Sequence, residues 1–304
     1  MMRCLFLRPQ QPDTINFADL TPEFFQRRYR NIRPLLIRNA ISSDALAKFA
    51  NGPYMAEQIR EREGVSPGAS VKAMVAKDNI NFMDNELFVD KVDVEADTLF
   101  ASILGPFARS GEESLNSQPH LYYRGLLSDS LLQTLAISTL LQPISLPTTA
   151  ITVNSSLVRL WASHAGCTTP LHYDRCHGLL AQLHGRKRFV VFSHEDTRSL
   201  YPYDGITGPT HASRLRELGT CFAYPGERAE EAGTREARTA ELLRRWGKVA
   251  GTEPWVIDLE AGDVLYTPVG FWHEVTSLTA SISVTVPWDM SKSEKEDLPA
   301  HMAF

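Results

Sequence analysis

The sequence has few cysteines and no pair of them at the spacing of a metal or redox motif. Its four cysteines are Cys4, Cys167, Cys176 and Cys221, and none forms a C-x-x-C pair with another. Paired spacing is typical of structural zinc sites, and disulfide frameworks belong mainly to small secreted domains. The cysteines therefore argue against a zinc module and against a disulfide scaffold.

Long apolar runs and an excess of positive charge are also missing. The opening MMRCLFLRPQQPD lacks the apolar core of a secretory signal, and no run reaches the roughly 20 apolar residues that span a membrane. The formal net charge of -5 gives no general attraction to a phosphate backbone. We expect an intracellular protein, cytoplasmic or nuclear, without a membrane partner and with nucleic acid as an unfavoured partner.

The composition that is present is that of a globular protein, with 43% hydrophobic and 22% charged residues over 304 positions. In the first part of the chain, TPEFFQRRYRN and SSDALAKFA begin with capping residues and predict helices, while RPLLIRNAI predicts a short strand. These patterns predict an α/β N-terminal region, residues 1–115, that packs on a second region, residues 116–304.

The second region is rich in short β-like segments. They are SSLVRLWAS, GLLAQLHG, KRFVVF, GDVLYTP, FWHEVTSL and SISVTVPW, separated by Gly, Pro or polar turns. Several short strands of this kind are typical of a sandwich or barrel. The charged, Ala-rich stretch Pro225–Pro254 interrupts them and predicts a partly helical insertion within residues 205–255. A solvated surface insertion is favoured over a lid.

The chemistry-bearing residues lie in TPLHYDRCHGLLAQLHG and GDVLYTPVGFWHEV. His172 and Asp174 are two residues apart, so in an extended strand both side chains leave the same face. His273 supplies a second imidazole from a distant strand. Two histidines and one carboxylate leave three octahedral positions open, which suits Fe(II) with 2-oxoglutarate and O2. An isolated H-x-D also occurs in ordinary surface or core positions, so the combination with His273 carries the prediction.

Lys187 opens the segment KRFVVF directly after a turn at His184-Gly185. On a strand beside the metal strand it can point a cation into the barrel, where the far carboxylate of 2-oxoglutarate would be its anionic partner. The alternative is that Lys187 belongs to a solvated trio with Arg186 and Arg188. The residues alone slightly favour that alternative.

These motifs resemble the JmjC-type, cupin-like hydroxylases that depend on Fe(II) and 2-oxoglutarate. The resemblance, clearest over residues 117–205 and 256–290, includes the asparaginyl hydroxylase that acts on hypoxia-inducible factor and the tRNA wybutosine hydroxylase. It implies a mainly β fold, with a double-stranded β-helix (cupin or jelly-roll) at its core. It also implies that His172, Asp174 and His273 are the iron ligands.

The same resemblance assigns the co-substrate contacts. Lys187 would hold the far carboxylate of 2-oxoglutarate, assisted by the hydroxyls of Thr169 and Tyr122. If the register of HLYYRGLLSDS shifts by one, Tyr123 takes the place of Tyr122. No catalytic residue is expected beyond the metal centre.

Positions around this set carry weaker interpretations. Relatives often have Asn at the position of Gly178, and the asparaginyl hydroxylase has Asn at that of Pro287. The resemblance places both of these Asn residues close to the metal and the co-substrate. Arg175, His177 and Trp288 are candidate substrate contacts. For all three, a loop or core position is the competing interpretation.

The resemblance implies a dioxygenase that hydroxylates an unactivated carbon, first of all on a protein or peptide side chain. Asp174, in place of the Glu that many demethylases of the family use, favours hydroxylation. A hydroxylase of a tRNA base or a specialised metabolite and an N-methyl demethylase stay open. So does a metal-binding cupin that is not an oxygenase. We expect a monomer or weak dimer.

Overall fold

A computed structural model describes residues 7–83, 85–105, 119–146, 151–224, 227–297 and 302. The strands in these ranges are β1 (Asp13–Asn16), β2 (Leu35–Arg38), β3 (Ser70–Ala76), β4 (Val89–Glu95), β5 (Leu121–Gly125), β6 (Arg159–Ser163), β7 (Thr168–Tyr173), β8 (His177–His184), β9 (Lys187–Phe192), β10 (Trp255–Leu259), β11 (Val264–Thr267), β12 (Trp272–Ser277) and β13 (Ser281–Trp288). The helices are α1 (Pro22–Arg28), α2 (Ser43–Phe49), α3 (Gly52–Glu63), α4 (Ala96–Leu104), α5 (Asp129–Leu135), α6 (Ile137–Leu141), α7 (Ala229–Arg245) and α8 (Lys292–Glu296).

The strands form two sheets that enclose one cavity. The larger sheet has the order β1-β2-β11-β8-β13-β6-β5-β3-β4, and the smaller has the order β10-β9-β12-β7. Residues of both sheets line the cavity, including Thr285 of β13 and Val275 of β12. The predicted jelly-roll core is therefore confirmed, and all six strand predictions made for the second region fall on strands of these sheets.

The N-terminal region is part of the same architecture. It supplies β1, β2, β3 and β4 to the larger sheet, so it extends the barrel sheet and does not only pack on it. Its helices cover the outer face of that sheet, where Phe25, Phe49, Ile59 and Phe100 are fully buried with core residues of the barrel. The predicted boundary near residue 115 lies outside the described residues.

The helices of this region begin where the sequence provides caps. The side chains of Thr21, Ser42 and Asn51 accept hydrogen bonds from the backbone N–H three residues later, at the starts of α1, α2 and α3. Each cap satisfies a backbone donor that the first helical turn leaves free. No described helix has the combined length and apolar character of a membrane-spanning segment.

The connection between β9 and β10 contains the predicted insertion. Helix α7 covers 17 residues and is longer than the AELLRRW segment predicted to be helical. Thr239 is buried, and Leu242 and Trp246 pack against a buried apolar cluster that includes Val190 and Phe192 of the smaller sheet. No described residue of the insertion lines the cavity between the sheets, which agrees with a surface position. Pro225 itself lies outside the described residues.

Candidate metal centre and its cavity

Two adjacent strands bring the three predicted metal ligands together. β7 and β12 pair in antiparallel register, with His172 directly opposite His273 and their ring centroids 4.3 Å apart. Asp174 follows the end of β7, and its Oδ2 lies 3.8 Å from Nε2 of His273. One ligand atom from each residue lies within 4.8 Å of the other two, so the group can hold a metal ion.

Backbone carbonyls orient both imidazoles. Nδ1 of His172 lies 2.8 Å from the carbonyl oxygen of Pro170, and Nδ1 of His273 lies 3.1 Å from that of Phe271. An Nδ1–H that donates to a carbonyl leaves Nε2 unprotonated and free to bind a metal. Burial, followed by the neighbouring His273, lowers the pKa of His172 to about 4. The neutral form that a metal requires therefore dominates near pH 7.

Lys187 lies inside the same cavity and is only 1% exposed. Its Nζ donates to Oγ of Ser283 at 2.8 Å and lies 5.9 Å from the ring centroid of Tyr122. The Tyr122 hydroxyl is in turn 3.1 Å from Oγ1 of Thr169. No carboxylate pairs with Lys187 among the residues that the structure describes, and burial lowers its pKa to about 7.

Arg186, Lys187 and Arg188 therefore do not form the solvated trio that the residues alone slightly favoured. Arg188 is 2% exposed and forms an ion pair with Asp258 at 2.7 Å, which leaves Arg186 as the exposed member. Lys187 differs from Arg188 because it is buried without a carboxylate. A buried cation in that state is unstable unless an anion enters.

The register question at β5 is also answered by the structure. Tyr122 lines the cavity, whereas Tyr123 faces the opposite side and packs 6.3 Å from Phe100 in the core under the helices. Successive side chains of a strand alternate between faces, so only one of the two can reach the cavity.

The cavity has a volume of about 190 Å³. At roughly 15 Å³ for each water-sized volume it has room for about 12 or 13 non-hydrogen atoms, enough for a molecule of the size of 2-oxoglutarate. Asp174, with 54% of its side chain exposed, marks the solvent end of the cavity, and the buried Lys187 marks the inner end. The donor set, the inner cation and the volume all fit a metal with a small dicarboxylate.

Sequence reasoning missed Trp161 and Thr285, which line the cavity, and Ser283, which lies behind Lys187 as its hydrogen-bond acceptor. Ser283 is bonded to Lys187, and Nε1 of Trp161 donates to Oγ1 of Thr285 at 2.6 Å. A signal for two of them is present in SISVTVPW. There, Ser and Thr alternate with Ile and Val, as expected when one strand face meets a polar cavity and the other an apolar core.

The three candidate substrate contacts are not brought to the cavity. His177 is fully buried, with its Nδ1 3.0 Å from the Tyr266 hydroxyl and its ring stacked 5.2 Å from that of Trp288. Gly178, the next residue after His177, lines the cavity, and neighbouring strand residues face opposite sides, so the His177 ring lies on the outer face of the larger sheet. Trp288 pairs with His177 across the strands and lies on the same outer face. Arg175 is exposed and does not line the cavity either.

The two positions that depart from the family pattern lie side by side. Gly178 of β8 pairs with Pro287 of β13. A Cβ atom at Gly178 would have no neighbouring atom within 4 Å, so the cavity wall is open at this point. Neither residue offers a side-chain hydrogen bond to a ligand in the cavity.

Comparison with known protein families identifies this architecture. The model of the cupin-like domain family matches residues 21–294. The chain belongs to the cupin-like domain family. The predicted relationship to JmjC-type proteins is thereby confirmed. This JmjC-type family comprises oxygenases that depend on Fe(II) and 2-oxoglutarate, and it includes demethylases and hydroxylases.

The similar curated proteins are longer than this chain. The Drosophila melanogaster "Jumonji C domain-containing protein 5" is 30% identical over 43% of this chain and 27% of its own length. The Arabidopsis thaliana "Lysine-specific demethylase JMJ31" is 27% identical over 63% of this chain and 31% of its own length. The human "Bifunctional peptidase and (3S)-lysyl hydroxylase JMJD7" is 28% identical over 44% and 42%, respectively. The solved structure of E. coli ycfD covers 91% of this chain and 55% of its own, with 16% identity and a TM-score of 0.43. The chain thus spans less than half the length of each of these three curated relatives.

Proposed function

We propose that the protein is an Fe(II)- and 2-oxoglutarate-dependent dioxygenase that hydroxylates an unactivated carbon of a protein or peptide side chain. The observation that carries the proposal is the pairing of two features in one cavity. A His-Asp-His group stands at its solvent end, and a buried lysine without a carboxylate partner among the described residues stands at its inner end.

Each end has a defined task in this proposal. Nε2 of His172, Nε2 of His273 and the carboxylate of Asp174 would hold Fe(II). Lys187 would bind the far carboxylate of 2-oxoglutarate, and the hydroxyls of Tyr122 and Thr169 would assist it. The bound iron and 2-oxoglutarate supply the oxidation of a C–H bond by O2.

The remaining wall shields this chemistry from water. Phe189, Val275, Leu180 and Trp161 line the cavity between its two ends. Apolar walls keep the reaction away from solvent and strengthen the ion pair between Lys187 and a bound carboxylate. The protein's own contribution is therefore binding, orientation and exclusion of water.

The site favours a substrate that enters from solvent as a protruding side chain. Asp174 is exposed at the cavity opening, and the cavity wall is open at Gly178. Human JMJD7, one of the similar proteins, is described as a lysyl hydroxylase. A tRNA base, a specialised metabolite or an N-methyl group remain alternative substrates. We further propose an intracellular monomer or weak dimer.

A metal-binding cupin that is not an oxygenase is the alternative from another class. Such a protein needs the metal ligands but has no use for a buried cation opposite them. The energetic cost of keeping Lys187 buried therefore favours the oxygenase. Consumption of 2-oxoglutarate separates the two classes.

The direct test is succinate formation from 2-oxoglutarate by the purified protein with Fe(II), ascorbate and O2. We expect slow turnover without added substrate, and a loss of at least about 100-fold in His172→Ala and Asp174→Ala because each removes a metal ligand. His120→Ala, at a half-buried histidine outside the cavity, is the matched control and retains turnover. Absence of turnover in the wild type, together with absence of metal-dependent 2-oxoglutarate binding, contradicts the proposal.

The pKa of Lys187 predicts a pH dependence of co-substrate binding. Because burial lowers this pKa to about 7, the ligand-free side chain loses its proton above neutral pH, whereas a bound carboxylate keeps it charged. We expect the affinity for 2-oxoglutarate to fall about tenfold between pH 6 and pH 8, with nearly one proton taken up per ligand at pH 8.

Calorimetry with Mn(II) in place of Fe(II), in buffers of different ionisation enthalpy, measures both quantities. Lys187→Arg is the matched control, since a guanidinium stays charged throughout this range and takes up no proton. Equal affinities at the two pH values in the wild type would rule out this role for the Lys187 proton.

A further inference from the structure

A second concave surface lies outside the cavity, between helix α7 and the segment 201–217. We call it the arginine groove, after the four arginines that line it: Arg214, Arg216, Arg238 and Arg245. Its volume is about 630 Å³, and none of the residues proposed to bind metal or 2-oxoglutarate belongs to it. The proposed chemistry therefore leaves this groove without a role.

Three of its arginines lack an ion-pair partner among the described residues. Arg238 and Arg245 are exposed and lie seven residues apart on α7, two helical turns along one face. Arg216 donates to the Tyr203 hydroxyl at 2.7 Å and to two backbone carbonyl oxygens, but to no carboxylate. None of these three guanidinium groups therefore has its charge offset by a carboxylate within ion-pair distance in the described part of the chain.

The remaining charges reduce the positive potential without cancelling it. Arg214 lies 3.5 Å from Asp204, so its charge is largely offset. Glu217 and Glu241 also line the groove, and Glu241 forms an ion pair with Arg244 at 2.7 Å. The lining is thus four arginines against two glutamates, with Asp204 beside it. Its charge is positive although the net charge of the chain is -5.

Aromatic rings hold three of the four arginines in place. The guanidinium carbons of Arg214 and Arg216 lie 5.7 and 5.8 Å from the ring centroid of Tyr203, and that of Arg245 lies 5.1 Å from Trp246. A guanidinium that rests on a ring keeps its N–H edge available for a carboxylate and loses less freedom when it binds one. The groove is therefore prepared to bind carboxylates.

The chain connects this groove directly to the metal strand. Ala212 forms a β-bridge with His172, and the N–H of Ser213 donates to the carbonyl of Leu171 at 2.8 Å. Arg214 follows Ala212 by two residues, which is about 7 Å of extended chain. A substrate held in the groove would therefore lie beside the strand that carries the metal ligand.

We propose that the arginine groove binds an acidic stretch of the protein substrate, at a distance of several residues from the side chain that is oxidised. This assignment rests on the proposed hydroxylation of a protein. Aspartate and glutamate side chains are planar anions that match the fork of a guanidinium. The apolar faces of Tyr203 and Trp246 accommodate the intervening residues of a peptide.

A nucleic acid fits this surface less well than an acidic peptide. A phosphate backbone presents a charge at every step, and typical protein contacts neutralise about 6–10 phosphates with Lys or Arg. Here the arginines are interleaved with Glu217 and Glu241, which repel a continuous run of phosphates. Separate carboxylates can avoid these two positions.

The test is fluorescence anisotropy with a labelled octaglutamate peptide, and with octaserine and a single-stranded RNA 20-mer as comparison probes. We expect the wild type to bind octaglutamate, less tightly as salt rises, and the doubly substituted Arg238→Glu/Arg245→Glu to lose at least tenfold in affinity. Arg238→Gln/Arg245→Gln, which removes charge but not size, should lose an intermediate amount. Arg62→Glu on α3 is the matched control, because Arg62 is exposed and lies far along the chain from the groove.

Equal urea midpoints establish that the groove variants are folded. Octaglutamate binding that is equal in wild type and the double Glu variant overturns the proposal, as does RNA binding that is tighter than peptide binding and sensitive to the same substitutions. Succinate formation by the wild type is measured in parallel. Turnover without peptide binding overturns the groove assignment alone, whereas peptide binding without turnover contradicts the proposed function on which it rests.

Discussion

Lys187→Met is expected to weaken 2-oxoglutarate binding by a factor of roughly 10² to 4 × 10³. The substitution removes the cation at the inner end of the cavity while keeping a side chain of similar length. Loss of one partner of a buried, hydrogen-bonded charge pair costs about 3–5 kcal/mol, which corresponds to this range of affinity. Calorimetric titration of the Mn(II)-loaded protein with 2-oxoglutarate measures the change.

The same substitution should raise the free energy of unfolding of the ligand-free protein. Without 2-oxoglutarate, Lys187 is buried with Ser283 as its hydrogen-bond partner and no described carboxylate beside it. The pKa of Lys187 is about 7 in the folded state, against an ordinary 10.5. Lys187 therefore binds a proton more readily in the unfolded chain than in the folded protein. Below pH 7 the lysine is charged in both states, and the loss of folding stability caused by burying this charge is complete. The cost disappears as pH rises from 7 to 10.5.

Urea denaturation at several pH values tests this second effect. We expect Lys187→Met to be more stable than wild type by about 1–4 kcal/mol at pH 6, with a smaller difference at pH 9. Lys48→Met on α2 is the control, since Lys48 is exposed and its replacement should change stability little. A destabilised Lys187→Met with undiminished 2-oxoglutarate affinity would show that Lys187 serves packing alone.

Both effects depend on the burial of Lys187, which the sequence alone did not predict. The spacing of His172 and Asp174 was sufficient to place both on one strand face, because strand periodicity is local. For Lys187 the same local information favoured a solvated trio with its neighbours. The structure shows Lys187 and Arg188 buried on β9, because β9 is an inner strand of the smaller sheet and both of its faces are covered by packed residues.

Long-range pairing accounts for most of what sequence patterns missed. Strands β1 to β4 join the barrel sheet through partners far along the chain, as in the pairing of β2 with β11 and of β3 with β5. Hydrophobic periodicity predicts a strand but not its neighbour. The jelly-roll core was therefore predicted from the resemblance and not from periodicity. Neither of them predicted that the N-terminal strands join the same sheet.

His177 shows the same limit at the level of one residue. Its position three residues after Asp174 made it a candidate substrate contact. In the structure it is buried on the outer face, with Nε2 3.2 Å from Glu294 of α8, which is 117 residues away in sequence. No local pattern predicts a partner at that distance. A buried histidine satisfied by Tyr266 and Glu294 is a structural element of the fold.

Glu294→Ala is expected to lower the free energy of unfolding by about 3 kcal/mol. Besides His177, the Glu294 carboxylate accepts from Nε and Nη2 of Arg30 at 2.7 and 2.8 Å, from Nδ2 of Asn31 at 2.8 Å, and from the N–H of Ser291 at 2.6 Å. Removing it leaves Arg30 and His177 without their acceptor beneath α8. The expected loss lies at the lower end of the range for a broken buried pair, because the side chain is 12% exposed.

Urea midpoints of the wild type, Glu294→Ala and Glu296→Ala measure this contribution. Glu296 is exposed at the end of the same helix and should tolerate the change. Burial acts to raise the pKa of Glu294, but hydrogen bonds from His177 and Arg30 outweigh it and hold this pKa well below the ordinary 4.5. The wild type should therefore lose this part of its stability as pH falls below 4.5, whereas Glu294→Gln should not. Equal midpoints for Glu294→Ala and Glu296→Ala would mean that α8 adds no stability through this network.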